Sequence, residues 1–312
     1  MDLLVITVSY NTRDLLADCL ASALAGLECS GLEGQVCVVD NASADGSADM
    51  VRQRFPSVVL VAHDENLGFA AGNNLGLRVM GFGGEVRPRH VLFLNPDTRV
   101  VGDSLGALVR FLDETAPAGA AGARLVHGDG RFQHSAFAFP GLAQILFDFF
   151  PLHHRVLNSR LNGRYPRKLY EVGRPFPVDH PLGAALMVRS EALEQVGSFD
   201  ERYFMYCEEI DLCRRIKEAG WEICCVPAAE IVHLVGQSTQ QFRDAMFVAL
   251  WRSRFLMFET HESGAFRWCA RRLVRLGLRA EARRARAAHQ RGEIGADQLA
   301  QKLAAFREVA AL

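Results

Sequence analysis

Short apolar runs alternate with helical segments through the first 125 residues of this chain, a pattern that leaves few folds open. The predicted strands cover residues 3–8, 35–40, 58–62 and 90–94, and the predicted helices end near residues 24, 55, 80 and 113. A continuous apolar run is typical of a strand that is buried on both faces. Strand–helix alternation at this spacing predicts right-handed βαβ units, a parallel sheet and therefore an α/β domain.

The alternation stops after Val126. Residues 127–180 are rich in aromatic, basic and proline residues, which indicates an insertion that shapes a pocket or contacts a partner. Further strands are predicted at 184–188, 223–226 and 230–233, and further helices after a cap at Ser190, at 208–219 and at 239–259. We therefore expect one α/β domain over residues 1–262, with 127–180 as its insertion, and a helical tail over residues 263–312.

The composition excludes several classes of protein. Of the 312 residues, 49% are hydrophobic and the formal net charge is −1, so we expect neither a disordered chain nor a nucleic-acid partner. The eight cysteines form no Cys-x-x-Cys pair, which favours reduced thiols over a disulfide framework. We predict neither a signal peptide nor an apolar stretch of about 18 residues that could span a membrane. The expected location is the cytoplasm, either free or peripheral at the inner face of the membrane.

Polar residues follow three of the predicted strands. Ser9 and Asn11 follow the first strand, Asp40 ends the second, and Asp97 follows the fourth. Ligands of open α/β sheets bind outside the carboxyl ends of the strands, so these residues indicate a nucleotide site. A carboxylate there also suits a hard cation such as Mg²⁺ that bridges a diphosphate. Taken alone, each group is more typical of an ordinary turn or helix cap.

A segment rich in glycine and asparagine, residues 66–76, follows the third strand. Its glycines let a backbone approach a ligand closely, and its asparagine amides can donate to a phosphate or a base. The segment lacks the Gly-x-Gly of dinucleotide-binding loops. The alternative interpretation is a glycine-rich turn followed by a closely packed helix.

These motifs, in this order, resemble those of the family 2 glycosyltransferases with a GT-A fold, especially the rhamnosyltransferase-like members of surface polysaccharide biosynthesis. The resemblance covers residues 3–260 and rests on Ser9-Tyr10-Asn11, Val39-Asp40-Asn41-Ala42-Ser43, Asn66-Leu67-Gly68-Phe69, Asn95-Pro96-Asp97, Gly183-Ala184-Ala185, Gly197-Ser198-Phe199-Asp200-Glu201, the segment from Phe204 to Leu212, and His233. It implies a Rossmann-like nucleotide-binding mixed sheet flanked by helices, together with an inverting transfer of sugar.

The resemblance also implies roles for individual residues. The nucleotide pocket would be lined by Ser9, Asn11, Asp40, Asn66, Gly68, Asn73 and Asn95. Asp97 stands at the last acidic position of the family's Asp-x-Asp motif and would bind Mg²⁺ or Mn²⁺, joined by His233. Asn95 replaces the first aspartate of that motif, and a neutral amide is a weaker metal ligand.

Three carboxylates lie within four residues at the predicted start of a helix, namely Glu208, Glu209 and Asp211. The helix dipole stabilises negative charge at this end, and plain capping is the alternative interpretation for Asp211. The resemblance implies that Glu209 is the catalytic base of a single displacement, because the family usually has Glu-Asp where this chain has Glu208-Glu209. Glu208 and Asp211 are rival candidates within the same cluster.

The tail is strongly basic, because residues 265–291 carry nine arginines and one glutamate, a net charge of +8. At about 100° per residue, Arg271, Arg272, Arg275, Arg279, Arg283 and Arg286 share one side of a helix, and Phe266, Cys269, Leu273 and Leu276 share the other. Trp268 and Arg284 interrupt this pattern. Such a helix, with the aromatic patch 147–150, suits an anionic membrane surface. A solvated helix face that packs on the domain is equally typical.

The leading hypothesis is therefore a glycosyltransferase that moves a sugar from a nucleoside-diphosphate donor, carried on dTDP or UDP, to a glycan or lipid-linked acceptor. Rhamnose or another deoxysugar is the expected sugar. A nucleotidyltransferase is the alternative enzyme, although Ser9-Tyr10-Asn11-Thr12 stands where such an enzyme is expected to carry a glycine-rich loop with Lys or Arg. A catalytically inactive sugar-nucleotide-binding module is the alternative outside enzymes.

Overall fold

The computed structural model of the protein describes residues 1–84, 87–150, 153–234 and 243–312. Its strands are β1 (Leu3–Ser9), β2 (Gly34–Asn41), β3 (Val59–His63), β4 (His90–Leu94), β5 (Thr98–Val100), β6 (Ala118–Val126), β7 (Phe132–Gln133), β8 (Ala136–Phe137), β9 (Phe176–Pro177), β10 (His180–Pro181), β11 (Ala185–Arg189) and β12 (Glu222–His233). Its α-helices are α1 (Arg13–Ser30), α2 (Ser47–Arg54), α3 (Phe69–Val79), α4 (Ser104–Glu114), α5 (Leu142–Phe149), α6 (His154–Leu157), α7 (Arg167–Glu171), α8 (Ser190–Val196), α9 (Glu208–Glu218), α10 (Arg243–His261), α11 (Gly264–Gln290) and α12 (Ala296–Ala311).

The main sheet is mixed, as the resemblance implies. Its strand order is β3-β2-β1-β4-β11-β6-β12-β5, with β7 paired to β6 and β9 paired to β12. The strands β1 to β4 are parallel, which confirms the prediction from the βαβ pattern. β11 then runs antiparallel to both of its neighbours, β4 and β6, while β12 runs parallel to β6 and antiparallel to β5. β8 and β10 form a separate antiparallel pair.

Four strands of this sheet were not predicted, and two predicted strands are one. No strand was expected in the segments that form β5, β6, β7 and β9. The predicted strands 223–226 and 230–233 are parts of the single strand β12. The register of β12 with β6 shifts between Val226 and Glu230, and the strand continues after this irregularity. Such a bulge bends the strand without ending it.

Helix α3 packs closely on the sheet because two of its residues lack a side chain. A Cβ at Gly72 would lie 2.9 Å from Val8 Cγ1, and a Cβ at Gly76 would lie 2.8 Å from Ile6 Cγ2. The two glycines are four residues apart, so they lie on the same face of the helix, against β1. For this part of the segment 66–76, the packing interpretation is therefore the right one.

On the chain as described, two compact units can be distinguished. The first contains residues 1–138, 165–204 and 208–238 and holds the main sheet; the second contains residues 139–164, 205–207 and 239–312. The segment 127–180 is thus divided between them, and the predicted helix 239–259 belongs to the second unit. Residues 239–242 of that prediction lie outside the described residues, and α10 begins at Arg243. The functional boundary at residue 262 stays a prediction.

The second unit is built by helices that pack around aromatic side chains. The ring of Phe149 on α5 stacks on that of Trp251 on α10, with 5.2 Å between centroids. A Cβ at Gly277 on α11 would overlap the Phe149 ring, so α11 lies directly against α5. Phe149 is buried, which corrects the expectation that the whole patch 147–150 faces a membrane.

The face that α11 buries also differs from the prediction. Its buried residues are Ala270, Val274, Gly277, Leu278 and Ala285. Leu276, which was predicted on the apolar side, is 52% exposed, and Trp268 is 60% exposed. Arg284, which interrupts the pattern, donates from Nη1 to the Phe149 carbonyl oxygen at 2.8 Å and so satisfies the end of α5. In the described part of the chain, no helix is both long and apolar enough to cross a membrane.

The predicted helix cap at Ser190 is wrong. Ser190 is the first residue of α8, and its hydroxyl donates to the Pro88 carbonyl oxygen at 2.6 Å instead of capping the helix. Thr12 precedes α1, but its side chain accepts no bond from that helix because it pairs with Ser9. Both hydroxyls therefore fix the connection between neighbouring segments.

Candidate active site

The predicted site residues come to one edge of the main sheet through the strand directions. β2, β1 and β4 are adjacent and parallel, so Asp40, Ser9 and the segment after Leu94 emerge at the same edge. β11 is antiparallel to β4, and its first residue, Ala185, pairs with Leu94, so its amino end lies at that edge as well. The last residue of β12, His233, pairs with Thr98 at the start of β5. The topology thus gathers segments that are far apart in sequence.

The loop after β1 is tied to the loop after β2 by side-chain hydrogen bonds. Asn11 has a left-handed backbone, with φ of 52°, and its Oδ1 accepts from the Ala44 backbone N–H at 2.8 Å. Its own N–H donates to Ser43 Oγ at 2.9 Å. Ser9 Oγ lies 2.9 Å from Thr12 Oγ1, in a buried contact. Both predicted nucleotide residues therefore shape the two loops through bonds that the chain itself supplies.

Asp40 and Asn95 each keep a buried oxygen without a partner among the described residues. Asp40 is 3% exposed, and one carboxylate oxygen accepts from the Ser43 N–H at 3.2 Å while the other has no hydrogen bond. Asn95 Oδ1 is likewise buried without a donor. Because buried polar atoms are nearly always hydrogen-bonded in native proteins, each of these oxygens has a place for a ligand donor.

The segment 66–76 is attached to the segment 197–204 of the same unit. Asn66 Oδ1 accepts from the Gly68 N–H at 2.9 Å, and Gly68 has φ of 82°, a value that favours glycine. A Cβ there would also overlap the Phe204 carbonyl oxygen. Asn74 Nδ2 donates to the Phe199 carbonyl oxygen at 2.8 Å. The two motifs therefore depend on each other for their conformation.

Asn73 is another predicted nucleotide residue, and it lies inside α3. Its Nδ2 donates to the Phe69 carbonyl oxygen at 2.9 Å, one turn earlier in the helix. The residue is 1% exposed, and its Oδ1 has no partner among the described residues. The amide nitrogen of Asn73 thus bonds within the helix, whereas its amide oxygen can accept a hydrogen bond from a ligand.

Asp97 and His233 form a buried pair. His233 Nε2 lies 3.5 Å from Asp97 Oδ1, and the Leu234 N–H donates to the Asp97 carbonyl oxygen at 2.9 Å. On the other side of the imidazole ring, Gln133 Nε2 lies 3.0 Å from His233 Nδ1. Gln133 is a residue that the sequence did not predict, because a single glutamine on the two-residue strand β7 follows no motif.

The pair is a two-residue group. Across the described ranges, no cluster of three His, Cys, Asp or Glu side chains could hold a metal ion. A carboxylate with one imidazole still fits Mg²⁺ or Mn²⁺ when the ligand brings phosphate oxygens, since Mg²⁺ commonly binds through one or two carboxylates plus substrate phosphates. Buried carboxylate and imidazole groups at the sheet edge therefore suit a metal that arrives with a diphosphate.

Glu208, which is buried, and Glu209, which is half-buried, begin α9 as two adjacent carboxyl groups. Burial raises the pKa of Glu208 well above its usual value, and the neighbouring charge of Glu209 raises it further. Burial also raises the pKa of Glu209 to about 7. Each has one buried oxygen, Oε2, without a hydrogen-bond donor among the described residues. A carboxyl group with a pKa near neutrality is suited to take up and release protons.

Gly183, just before β11, leaves the space that Glu209 occupies. A Cβ at Gly183 would lie 3.2 Å from Glu209 Cγ and 3.5 Å from its Cβ. The contact with Cγ is tighter than ordinary packing, so a side chain at Gly183 would make the glutamate shift by a few tenths of an ångström. The absence of a side chain at Gly183 thus helps to set the position of Glu209.

Asp211 has a different environment from the two glutamates. It is 2% exposed, and Arg215, one turn later on α9, donates to it from Nε at 2.9 Å. Arg215 also donates to the carbonyl oxygens of Val196, Gly197 and Ser198 at 2.7, 3.1 and 2.9 Å. Asp211 therefore holds the arginine that joins α9 to the end of α8. This contact favours a structural role for Asp211.

The sequence and the structure agree with those of known glycosyltransferases. The family model described as glycosyl transferase family 2 matches residues 4–197. The chain is 31% identical to the N-acetylglucosaminyl-diphospho-decaprenol L-rhamnosyltransferase of Mycobacterium tuberculosis over 273 residues, which is 84% of this chain and 86% of that protein. It is 27% identical to a rhamnosyltransferase of Escherichia coli K12 over 66% of this chain and 72% of that protein.

Solved structures match the fold. The mannosyltransferase PcManGT of Pyrobaculum calidifontis, solved in complex with GDP-Man and Mn²⁺, has a TM-score of 0.58 at 17% identity, with 99% of this chain and 86% of that chain covered. TarS 1-349 of S. aureus, in complex with UDP, has a TM-score of 0.53 at 15% identity, with 98% and 80% covered. Nothing in these comparisons supports the nucleotidyltransferase alternative. The chain therefore belongs to glycosyl transferase family 2 and is a glycosyltransferase with a GT-A fold.

Proposed function

We propose that the chain transfers a deoxysugar, with rhamnose as the leading candidate, from a nucleoside diphosphate to a lipid-linked acceptor with inversion at the anomeric carbon. The observation that carries the reaction is the Glu208-Glu209 pair, whose buried Oε2 atoms have no donor in the described chain. The proposed sugar follows the names of the Mycobacterium tuberculosis and Escherichia coli relatives, and the proposed acceptor follows that of the Mycobacterium tuberculosis relative. The proposed location is the cytoplasmic face of a membrane, where a lipid-linked acceptor is accessible.

In this proposal the nucleotide and the diphosphate occupy the sheet edge beside β1, β2 and β4. Asp40 accepts from the base or ribose through the oxygen that has no partner, and Asn95 supplies its free Oδ1. Ser9, Asn11, Asn66 and Gly68 act mainly by fixing the loops, since their side chains or backbones are already bonded within the chain. Asn73 offers its unpartnered Oδ1 from α3.

A divalent cation would be held by Asp97 and His233 together with the donor diphosphate. When bound, it would neutralise the negative charge that grows on the leaving diphosphate. Ligation through His233 Nε2 requires the ring proton on Nδ1. Gln133 would then accept a hydrogen bond from this N–H through its amide oxygen, after a rotation of the amide group. Gln133 Oε1 is buried and has no partner among the described residues, so it is free for this bond.

The acceptor hydroxyl attacks the anomeric carbon while the bond from that carbon to the diphosphate oxygen breaks. Glu209 takes the hydroxyl proton as the new bond forms, and the diphosphate leaves with the bonding electron pair. Burial keeps the pKa of Glu209 near 7, so the carboxylate is a stronger base than an exposed glutamate yet is ionised in slightly alkaline solution. One base acting in one displacement gives inversion.

The test is transfer by the full chain with a panel of dTDP-, UDP- and GDP-linked sugars and a short-chain lipid diphosphate acceptor. Mn²⁺ is tried first, because a fold neighbour was solved with it, and Mg²⁺ second. We expect a dTDP-deoxysugar to give product, chelation to abolish transfer, and added metal to restore it. Nucleotide-induced thermal stabilisation without transfer to any acceptor would indicate an inactive binding module, and full activity after exhaustive chelation would contradict the metal.

A further inference from the structure

A groove between α11 and α12, inside the second compact unit, carries four arginines that the proposed reaction does not use. Its volume is about 510 Å³. Arg275, Arg279 and Arg286 line it from α11, and Arg307 lines it from α12. Leu278 and Phe306 contribute apolar surface, and Phe306 is held edge-on to Phe247 with 5.7 Å between ring centroids. The groove therefore combines concentrated positive charge with an apolar wall.

The positive charge of this groove is not balanced by the chain. In the part of the chain that the structure describes, no carboxylate forms an ion pair with Arg275, Arg279 or Arg286. Arg307 Nε donates to the Leu303 carbonyl oxygen at 3.1 Å, a contact that leaves its charge uncompensated. Glu281 of α11 pairs with Arg284, Glu308 of α12 with Arg252, and Glu293 of the connecting loop with Arg291. Four like charges along one groove favour an anionic ligand that neutralises them.

The chemistry of the lining selects the kind of anion. Guanidinium groups bind phosphate through two parallel hydrogen bonds, so arginine in particular suits a phosphate ligand. A free phosphate would gain nothing from Leu278 and Phe306, whereas a phosphate that carries an apolar chain would bury that chain against them. A ligand that contacts both the arginines and the apolar side chains is an amphiphile with a phosphate head.

The exposed side of α11 adds an independent sign of a lipid surface. At about 100° per residue, Trp268 lies on the same side of the helix as Arg275, Arg279 and Arg286, and Leu276 lies at the edge of that side. Both apolar side chains are more than half exposed, at 60% and 52%. Tryptophan and leucine beside arginines are typical of helices that lie in the interface of a bilayer. Both observations point to a membrane rather than to a soluble anion.

We propose that this groove binds the phosphate headgroup of an anionic phospholipid. The inference deepens the proposed membrane contact by naming a site and a ligand, and it rests on the proposed function only for the presence of a membrane. The arginines are arranged on both walls, so the headgroup is held at one place instead of being attracted diffusely by the whole tail.

The test compares two double variants with the same loss of charge. R279Q/R286Q removes groove arginines, while R272Q/R283Q removes exposed arginines of α11 that do not line the groove. The probe is dihexanoyl phosphatidylglycerol below its micelle concentration, titrated into the full chain by calorimetry. We expect the groove variant to bind at least about tenfold more weakly than the parent chain and the control variant to stay within about threefold. Thermal unfolding checks that both variants are folded.

Further arms separate the lipid from other phosphates. Inorganic phosphate and a short single-stranded oligonucleotide are titrated in the same way, and binding of either as tight as that of the lipid would overturn the assignment. Equal losses in the two double variants would show diffuse attraction and contradict a built site. Affinity for the nucleotide donor is measured in parallel: if the groove variant loses lipid and keeps the donor, the inference holds, and if the parent chain binds donor but no lipid, only this inference fails.

Discussion

The sheet edge of the first unit and the arginine-rich helix of the second unit were equally conspicuous in the sequence, yet they differ in how far the sequence determined them. At the sheet edge, strand direction decides where a residue emerges, so Asp40 near the end of β2 and Asp97 after β4 reach the same edge whatever their neighbours are. On α11, periodicity predicts a helix, but the partner helix decides which face is buried. The comparison shows that topology places residues more reliably than amphipathic pattern does.

The strongest loss of activity is expected at the sheet edge of the first unit. Glu209→Gln should lower kcat by roughly 10²–10⁴-fold while the affinity for the donor is unchanged, because the variant removes a general base and little else. Asp211→Asn should keep chemistry and lower the melting temperature, because Asp211 holds Arg215. Single-turnover transfer and donor titration separate the two. A dead Asp211→Asn beside an active Glu209→Gln would move the base to Asp211.

Glu209→Asp refines the same comparison. It restores the residue that the family usually carries, with a reach one methylene shorter, and we expect it to retain far more transfer than Glu209→Gln. If Glu209→Asp is no more active than Glu209→Gln, the position of the carboxylate, which Gly183 helps to set, matters more than its charge.

The next strongest effect is expected at Gln133, which no sequence motif marks. Gln133→Leu should weaken the binding of Mn²⁺ in the presence of nucleotide by roughly 10–100-fold, since residues that orient a ligating histidine typically contribute that much. Raising the metal concentration should restore transfer, which a purely structural defect would not allow. Unchanged metal affinity in this variant would remove Gln133 from the metal site.

A smaller effect is expected in the second unit. Gly277→Ala should lower the free energy of unfolding by about 1–3 kcal/mol, because the added methyl group overlaps the buried Phe149 ring. Gly295→Ala is the matched control, since a Cβ there meets no atom within 4 Å. Thermal or urea unfolding measures both. Equal stability of the two variants would contradict the packing of α11 against α5.

Most of the first unit could be predicted, and the failures have physical reasons. β6 escaped prediction because its sequence, Ala-Gly-Ala-Ala-Gly-Ala-Arg-Leu-Val, has few β-branched residues. It forms because small residues are required there: a Cβ at Gly119 would lie 2.7 Å from Trp221 Cβ, and one at Gly122 would overlap Pro181. Packing between β11 and β12, rather than the local sequence propensity, therefore determines the conformation of β6.

The candidate site was predicted in outline through motifs that follow strands, whereas its finer chemistry depends on contacts across the chain. Asn11 was expected to line the nucleotide pocket, but its side chain bonds Ala44. The contact of Gln133 with His233 joins residues 100 positions apart. No local pattern records such a contact. For α11, the missing information was the ring of Phe149, which requires Gly277 at the interface and so turns Leu276 outward.

The assignment of Glu209 as the base is best tested by the pH dependence of kcat/KM for the unmodified chain. Burial raises the pKa of Glu209 to about 7, and the base must be ionised to accept the acceptor's proton. We predict that kcat/KM falls about tenfold for each unit of pH below that pKa and levels off above it. A profile that is flat or falling as the pH rises from about 5.5 to about 8.5 would contradict a buried glutamate acting as the base.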